Sequence, residues 1–477
     1  MTVGKRIAAA DHRLLGRVTA GDRPAFSSAL CGLGRAADHG LLWIAVAAGL
    51  GARRNKWTRR AALRGLAGMA IASASANVLA KRLVGRTRPA LPLGRALRTT
   101  SFPSGHAASA AAFATGVALE VPALGVPVGA LAAAVGASRV VSRVHYPSDV
   151  LAGFALGTAA GLATLRWWAR RPAAPAAAAR PRHGAPASPD GSGVVLIVNV
   201  SAGTASAELA DSLNDRLPEA EVILADADDD LQSLFGKAAA RARILGVAGG
   251  DGSIRLAAGI AADAGLPLLV LPGGTFNHFA ADLGVGSVDD ALAALRDGDS
   301  VLVDVATADG AAFLNTASTG VYVDLVKARE QLEPGIGKWP AMLVALARVL
   351  RTGRPVDILV NGRQRRVWLL FAGNCRYEPS GAAPAYRPDL ADGTLDIRMV
   401  DGSQPLARTR LIAAVLLGTL GRSRVYRSWS ATSLRIASPT TGSVPLCLDG
   451  EATETKQAIS LVKRPKKLLV YRPQAGD

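Results

Sequence analysis

The sequence predicts an all-α transmembrane helical bundle followed, across a linker, by a domain that opens with an α/β lobe. Three observations carry this. Apolar stretches rich in Ala, Gly, Val and Leu run over residues 38–52, 61–80, 105–120, 123–138 and 149–168. Several approach the roughly 20 residues that cross a bilayer as a helix. Charge is unevenly placed: residues 1–190 carry 25 Lys and Arg against 6 Asp and Glu, and the remainder carries 30 against 31. From residue 194 onward, short β-branched runs alternate with glycine loops and helical stretches, the pattern of strands feeding helices in one layered sheet.

Taken in order, residues 1–36 have scattered arginines and no signal-peptide layout, and read as an interfacial segment. Residues 37–170 read as a membrane domain of about five spans, the first reaching back through Asp38 or lying partly in the interface. Small residues throughout allow close helix packing. The basic runs at residues 53–60 and 166–171 read as cytoplasmic. Residues 81–98 and 139–149 then fall together on the outer face; the first is itself basic, against a simple positive-inside count. Residues 171–193, built of Ala, Pro, Arg, Gly and Ser, read as a flexible linker partly stiffened by proline. A basic, apolar front half without an aromatic-basic stripe points to anionic lipid and away from nucleic acid. Cys31, Cys375 and Cys447 lie far apart in sequence, form no metal-ligand spacing and read as small core residues.

Inside the apolar half stands a set of polar residues at fixed spacing. It comprises Lys81 with Arg88-Pro89 seven residues on, Pro103-Ser104-Gly105-His106, and Ser138-Arg139 followed by His145 and Asp149. Charged groups in or beside a membrane are expensive, so such a set marks chemistry. Arg88 and Arg139 offer planar forks of donors to phosphoryl oxygens, and Lys81 a point charge. Ser104 and the Gly105 amide add donors at close approach. Two histidines suit attack on phosphorus and protonation of the departing alkoxide. Asp149, four residues after His145, can sit one helical turn away and orient that imidazole.

This set resembles the three-part signature of the type 2 phosphatidic acid phosphatase family, with no departure in any part. The resemblance implies that His145 carries a transient phosphohistidine, Asp149 orients it and His106 is the general acid. Lys81, Arg88, Ser104, Gly105 and Arg139 hold the phosphate, and no cofactor is needed.

In the second half, Val194-Val195-Leu196-Ile197-Val198 leads to Asn199-Val200-Ser201-Ala202-Gly203, and Ile244-Leu245-Gly246-Val247-Ala248 to Gly249-Gly250-Asp251-Gly252-Ser253. A third run, Leu268-Leu269-Val270-Leu271, leads to Pro272-Gly273-Gly274-Thr275-Phe276-Asn277. Such loops cluster at one sheet edge, where backbone amides approach phosphate oxygens; this is a nucleotide-binding layout. With Asp392-Gly393 and Asp449-Gly450-Glu451, the combination resembles the catalytic domain of the diacylglycerol kinase family over about residues 192–473. That resemblance implies a two-lobe kinase, with an α/β ATP-binding lobe at 194–301 and a β-rich lobe at 302–473 whose last strand returns to the first lobe. Asn199, Ser201, Gly203, Gly249, Gly250, Gly252, Ser253 and Thr275 would bind ATP, and Asp251 would organise its phosphates or magnesium. Asp389 and Asp392 match a magnesium-associated acidic segment, and Glu451 would accept the substrate hydroxyl proton. Val200, Ser253, Phe276 and His278 depart from the usual proline, threonine, glycine and acidic residue; Ser253 keeps the hydroxyl.

The expectation is a multi-pass plasma-membrane enzyme with an outward site that hydrolyses a lipid phosphate and a cytoplasmic site that phosphorylates a diacylglycerol-like alcohol. Its partners would be membrane lipids and ATP, with ATP and Mg2+ as kinase cofactors. The alternative is a polyprenyl phosphate or pyrophosphate phosphatase with a regulatory kinase half, or one acting on another lipid. An NAD-kinase-like activity shares the Gly-Gly-Asp-Gly loop, but fusion to membrane spans favours a lipid acceptor.

Overall fold

The computed structural model describes residues 3–20, 24–53, 55–80, 85–89, 100–172, 174–201, 206–274, 277–379 and 384–474. Lys81, Gly203, Thr275 and Phe276 lie outside the described residues. The chain forms two compact units, Met1–Arg170 and Arg171–Asp477.

The first unit is helical: α1 (Val3–Ala20), α2 (Pro24–Ala36), α3 (Leu41–Ala52), α4 (Lys56–Ala74, continued by a π turn over Ser75–Ala80), α5 (Gly105–Glu120), α6 (Pro122–Val141) and α7 (Pro147–Ala163). Local chemistry sets the helix starts. Asn55 Oδ1 accepts the Trp57 N–H at 2.8 Å before α4, and Pro122 and Pro147 open α6 and α7, where a missing N–H is not felt. Helix α5 is central, packed on α4, α6 and α7 through buried Ala107, Ala108, Ala110, Ala112 and Phe113. Glycine permits that approach: a Cβ at Gly157 of α7 would lie 2.1 Å from the Ala108 carbonyl oxygen.

Of the five stretches expected to span, two form helices long and apolar enough to cross a membrane, Pro122–Val141 and Pro147–Arg166, while Asp38–Ala52 is a shorter apolar helix. The others differ for physical reasons. Helix α5 has only 16 residues, and α4 carries Arg64, which is fully buried and paired with Glu120 at 2.6 Å. That guanidinium also donates to Thr164 Oγ1 at 3.0 Å and the Trp168 carbonyl at 2.6 Å, so its charge is neutralised inside the bundle. Residues 1–36 are more than a surface segment, because α1 and α2 both pack on α6 and α1 also touches α7.

The second unit begins with β1 (Val194–Asn199), α8 (Ala207–Arg216), β2 (Glu221–Ala225), α9 (Leu231–Ala239), β3 (Ile244–Gly249), α10 (Asp251–Ala264), β4 (Leu268–Pro272), α11 (His278–Leu283) and α12 (Val288–Asp297). The strands are parallel in the order β2-β1-β3-β4. Strand order reverses between β1 and β3, so the loops after them open a crevice at the carboxyl edge.

There follow β5 (Ser300–Ala308), β6 (Ala311–Phe313), β7 (Thr316–Gly320), α13 (Val321–Ile336), α14 (Lys338–Thr352), β8 (Val356–Val360), β9 (Arg363–Asn374), β10 (Leu395–Asp401), α15 (Ala407–Leu416), β11 (Tyr426–Ala431), β12 (Ser433–Ala437), β13 (Val444–Leu448), β14 (Glu451–Lys456) and β15 (Ala458–Tyr471). Strand β15 runs antiparallel to β5, shifts register between Arg464 and Leu468, and then pairs parallel with β4 at Val470↔Leu268. The last strand thus stitches the two lobes into one sheet.

Residues 171–193 differ from the flexible linker expected. Ala176 and Ala185 are buried in the core of the first lobe. The Ala177 amide donates to the Pro388 carbonyl at 2.8 Å and that of Ala179 to Leu302 at 3.1 Å. Small side chains let this segment lie flat on the sheet, and its backbone hydrogen bonds are satisfied there.

Candidate active sites

In the helical unit, the turn between α6 and α7 aims the chemistry. Arg143 takes a left-handed φ of 56°, and the amides of Val144 and His145 both donate to the Arg139 carbonyl, at 3.2 and 3.1 Å. This folds His145 back under the end of α6. His145 is buried, with Nε2 at 3.2 Å from Arg88 Nη1. Arginine can only donate, so Nε2 carries the lone pair and the proton resides on Nδ1. Nδ1 lies 3.8 Å from Asp149 Oδ2, with no hydrogen-bond partner among the described residues. Burial holds the imidazole below the ordinary histidine range, keeping it neutral.

Asp149 is fully buried at the start of α7. Its Oδ2 accepts the Tyr146 amide at 2.9 Å and the Ser101 hydroxyl, and its Oδ1 accepts Arg86 Nη1 at 2.8 Å. Arg88 is anchored on the carbonyls of Val144 at 2.7 Å and Thr100 at 3.3 Å. Ser104 and Gly105 begin α5, and the Ser104 amide donates to the Asp149 carbonyl at 2.9 Å. His106, one residue into α5, has Nε2 at 2.8 Å from Asp38 Oδ1.

Arg139 Nη1 donates to the Gly34 carbonyl at 3.2 Å and lies 3.9 Å from the same Asp38 oxygen. Its buried Nε has no partner among the described residues, which an anion in this pocket would supply. The three segments therefore converge. Lys81 lies outside the described residues. Three contributors were missed in the sequence: Arg86 and Ser101, which hold Asp149, and Asp38, which faces His106. Arg86 sits between motif positions and Asp38 in an apolar stretch, so neither spacing nor composition marked them.

In the second unit, the loop after β3 enters α10 directly, with Gly250 extended as its N-cap. A Cβ at Gly274 would lie 2.6 Å from Gly250 Cα, and one at Gly249 3.0 Å from Ser253 Oγ. Only glycine leaves this cradle open, so the amides at the α10 N-terminus suit a phosphate. Asn199 Nδ2 donates to Ser253 Oγ at 2.9 Å, joining the loops after β1 and β3, and Asn199 Oδ1 accepts the Ser201 amide at 3.1 Å. Asp251 Oδ1 accepts the His278 amide at 3.0 Å. Burial pushes its carboxyl above the ordinary range and the His278 imidazole below its own, a balance that a cation beside Asp251 would reset.

Glu451 opens β14, and its side chain is 54% exposed, with Oε2 at 3.2 Å from Arg255 Nη2. A Cβ at Gly252 would fall 2.1 Å from Glu451 Oε1. The carboxylate thus rests directly on the phosphate loop. Asp449, with a φ of 49°, is half-buried and accepts the amides of Leu314, Asn315 and Thr316 at 2.9, 2.8 and 2.7 Å. Burial nonetheless pushes its carboxyl up to about 6. In the Asp-Gly-Glu turn, the first residue anchors and the third projects. Arg387, unmarked in the sequence, is buried and binds Asp282 at 2.8 Å and Asn315 Oδ1 at 2.9 Å, tying the second lobe to α11.

The two aspartates expected to share magnesium have separate surroundings. Asp392 meets Asp304 and Cys375 in a cluster with metal-ligand geometry, of which Asp389 is not a member. Lys463 Nζ lies 3.0 Å from Asp304 Oδ2, 3.0 Å from Cys375 Sγ and 3.9 Å from Asp392 Oδ1. Burial pushes the Cys375 thiol up to about 12. The Lys463 side chain already occupies the middle of this cluster and offsets one of its two carboxylates, and a protonated thiol is a poor ligand, so these three side chains suit magnesium poorly. Asp389 Oδ1 accepts the Ala391 amide at 2.8 Å within its own loop.

The profile of the PAP2 superfamily matches residues 61–173, and that of the diacylglycerol kinase catalytic domain matches residues 193–308. A decaprenylphosphoryl-5-phosphoribose phosphatase of Mycobacterium tuberculosis is 42% identical over 148 residues, 29% of this chain and 79% of that protein. A lipid A 1-phosphatase of Rhizobium etli is 39% identical over 105 residues, 20% of this chain and 45% of that protein. A diacylglycerol kinase of Mycobacterium tuberculosis is 26% identical over 275 residues, 54% of this chain and 85% of that protein.

Proposed function

This chain belongs to the PAP2 superfamily and carries a diacylglycerol kinase catalytic domain, and on that premise we propose a bifunctional membrane enzyme acting on lipid phosphates and lipid alcohols. The observation that carries the phosphatase reading is the buried His145, with a lone pair on Nε2 beside Arg88 and Nδ1 toward Asp149. In the reaction, Nε2 attacks phosphorus while the bond to the lipid oxygen breaks, and His106 gives that oxygen its proton. Arg88 and Arg139 hold the phosphoryl oxygens as charge builds, with Ser104, the Gly105 amide and Lys81 adding donors. His106, now neutral, takes a proton from water, whose oxygen attacks the phosphohistidine; the P–N bond breaks and inorganic phosphate leaves. Asp149 stabilises the positive charge that His145 carries between the two steps.

In the kinase half, ATP supplies the phosphoryl group, with magnesium neutralising its charge. The Gly249 to Ser253 loop would hold the phosphates at the start of α10, joined by Asn199, Ser201, Gly203 and Thr275. Asp251 would face the metal, and Glu451, beside Gly252, would take the proton of the acceptor hydroxyl. The acceptor would be diacylglycerol-like. We place the phosphatase outward and the kinase in the cytoplasm, on the basic flanks of the apolar helices. A second reading of the phosphatase substrate, a polyprenyl-linked phosphate, is favoured by the 42% identity to the mycobacterial phosphatase.

Phosphate release from a panel of diacyl, polyprenyl and lipid A phosphates, with excess chelator, tests the first activity. Turnover of at least one class, lost in His145→Ala, supports it; a strict divalent requirement contradicts it.

A further inference from the structure

Asp149 is not held by its own helix alone. The Arg86 guanidinium that donates Nη1 to Asp149 Oδ1 at 2.8 Å donates Nη2 to Asp11 Oδ2 at 2.6 Å. Asp11 lies in the middle of α1 and is buried, although the three residues after it are exposed. Its Oδ1 accepts the Ser148 amide at 2.9 Å and its Oδ2 the Ser148 hydroxyl at 2.6 Å. Ser148 Oγ in turn accepts Arg86 Nη1 at 2.7 Å. The next residue of α1 joins in: the His12 ring meets Tyr146 edge-on at 5.3 Å, and Arg86 stacks on the same ring at 4.3 Å. Helix α1 therefore grips Tyr146 and Ser148, which lie between His145 and Asp149.

The charges in this network are uneven. One guanidinium serves two buried carboxylates, Asp11 and Asp149. With Asp149 as its only carboxylate partner, Arg86 would largely cancel it. Shared with Asp11, it leaves Asp149 negative toward the Nδ1 side of His145.

We propose that Asp11 is a positioning residue of the phosphatase reaction, acting through Arg86 and Ser148 to keep Asp149 aligned with, and negatively charged toward, the phosphorus-attacking histidine. The inference rests on the phosphohistidine reading above. Helix α1 is then part of the reaction machinery, and its docking sets the turnover rate.

The test uses the full chain in detergent with a lipid phosphate, comparing wild type, Asp11→Asn, Asp11→Glu, Arg86→Gln and the Asp11→Asn/Arg86→Gln double variant. Outer partners of active-site groups change rates by roughly 10- to 100-fold. Asp11→Asn should therefore lower kcat at least about tenfold with KM within about twofold. Rapid-quench formation of the acid-labile phosphoenzyme should slow equally, Asp11→Glu should recover most of the rate, and the double variant should be no worse than the weaker single. Wild-type kcat in Asp11→Asn overturns the proposal. So do losses that multiply in the double variant, and a loss that follows a lowered unfolding temperature and vanishes in the cold. A wild type without phosphatase turnover would instead remove the phosphohistidine reading, and this inference with it.

Discussion

In the helical unit the phosphate grip is assigned mainly to side chains, and in the α/β unit mainly to backbone. His106, Arg88, Arg139, His145 and Asp149 come from three segments; Arg88 and Arg139 are fixed on carbonyls, His106 on a carboxylate and Asp149 by an amide, while the His145 ring faces Arg88. The kinase loop instead relies on glycines that leave room at the start of α10, with one carboxylate, Glu451, reaching in from β14. The contrast fits the two proposed reactions. Hydrolysis through a covalent intermediate needs a nucleophile and an acid buried together, whereas transfer from a nucleotide needs positioning and charge neutralisation. Substitutions in the first site should therefore act through the lost chemical group, and in the second through displaced geometry.

The largest expected effect is that of His145→Ala, which removes the proposed nucleophile and should lower phosphatase kcat at least about 10⁴-fold while ATP-dependent lipid labelling continues. Equal loss of both activities would erase the distinction between the sites. Next, Glu451→Gln should lower kinase turnover by roughly 10²- to 10⁴-fold, the range for a lost general base, with phosphate release unchanged. Gly252→Ala tests geometry alone. Its methyl group would meet Glu451 Oε1, and displacing that carboxylate by about 1 Å should cost about 10²-fold in kinase kcat. A variant with full activity would show that Glu451 has no need of this seat.

The smallest effect concerns stability. Burial raises the Asp449 carboxyl in the folded state to about 6, from an ordinary value of 3.8. The folded state therefore binds the proton more tightly than the unfolded chain. Stability from this group is fully present below about pH 4 and is lost as pH rises toward 6, by a few kcal/mol at most. In Asp449→Asn this slope should disappear, so thermal unfolding of the kinase unit in the two proteins should converge or cross between pH 4 and 6. Parallel curves would contradict the assignment.

Much of this was legible in the sequence. The phosphatase set could be read because its residues are chemically costly in an apolar context and regularly spaced, and the structure brings His106, Arg139, His145 and Asp149 into one pocket. The strand-to-glycine-loop units could be read because β1, β3 and β4 are buried and aliphatic, with punctuation at their carboxyl ends. Long-range partners could not. Arg86 and Asp38 act across about 60 residues of chain, and no local pattern predicts which arginine meets which carboxylate. Nor did composition reveal that residues 171–193 pack on the second unit, since Ala and Pro suit a tether and a flat sheet-hugging strand alike. Nor did spacing show that β15, distant in sequence, brings Lys463 to within 3.9 Å of Asp392 Oδ1.

The most direct test of two independent sites is thin-layer analysis of purified full-length protein in mixed micelles with diacylglycerol and γ-labelled ATP, running wild type and His145→Ala side by side. Labelled phosphatidic acid is expected in both, accumulating further in His145→Ala because the product is no longer hydrolysed. Equal accumulation in both would contradict hydrolysis of that product at His145, and no labelled lipid in either would contradict the kinase assignment.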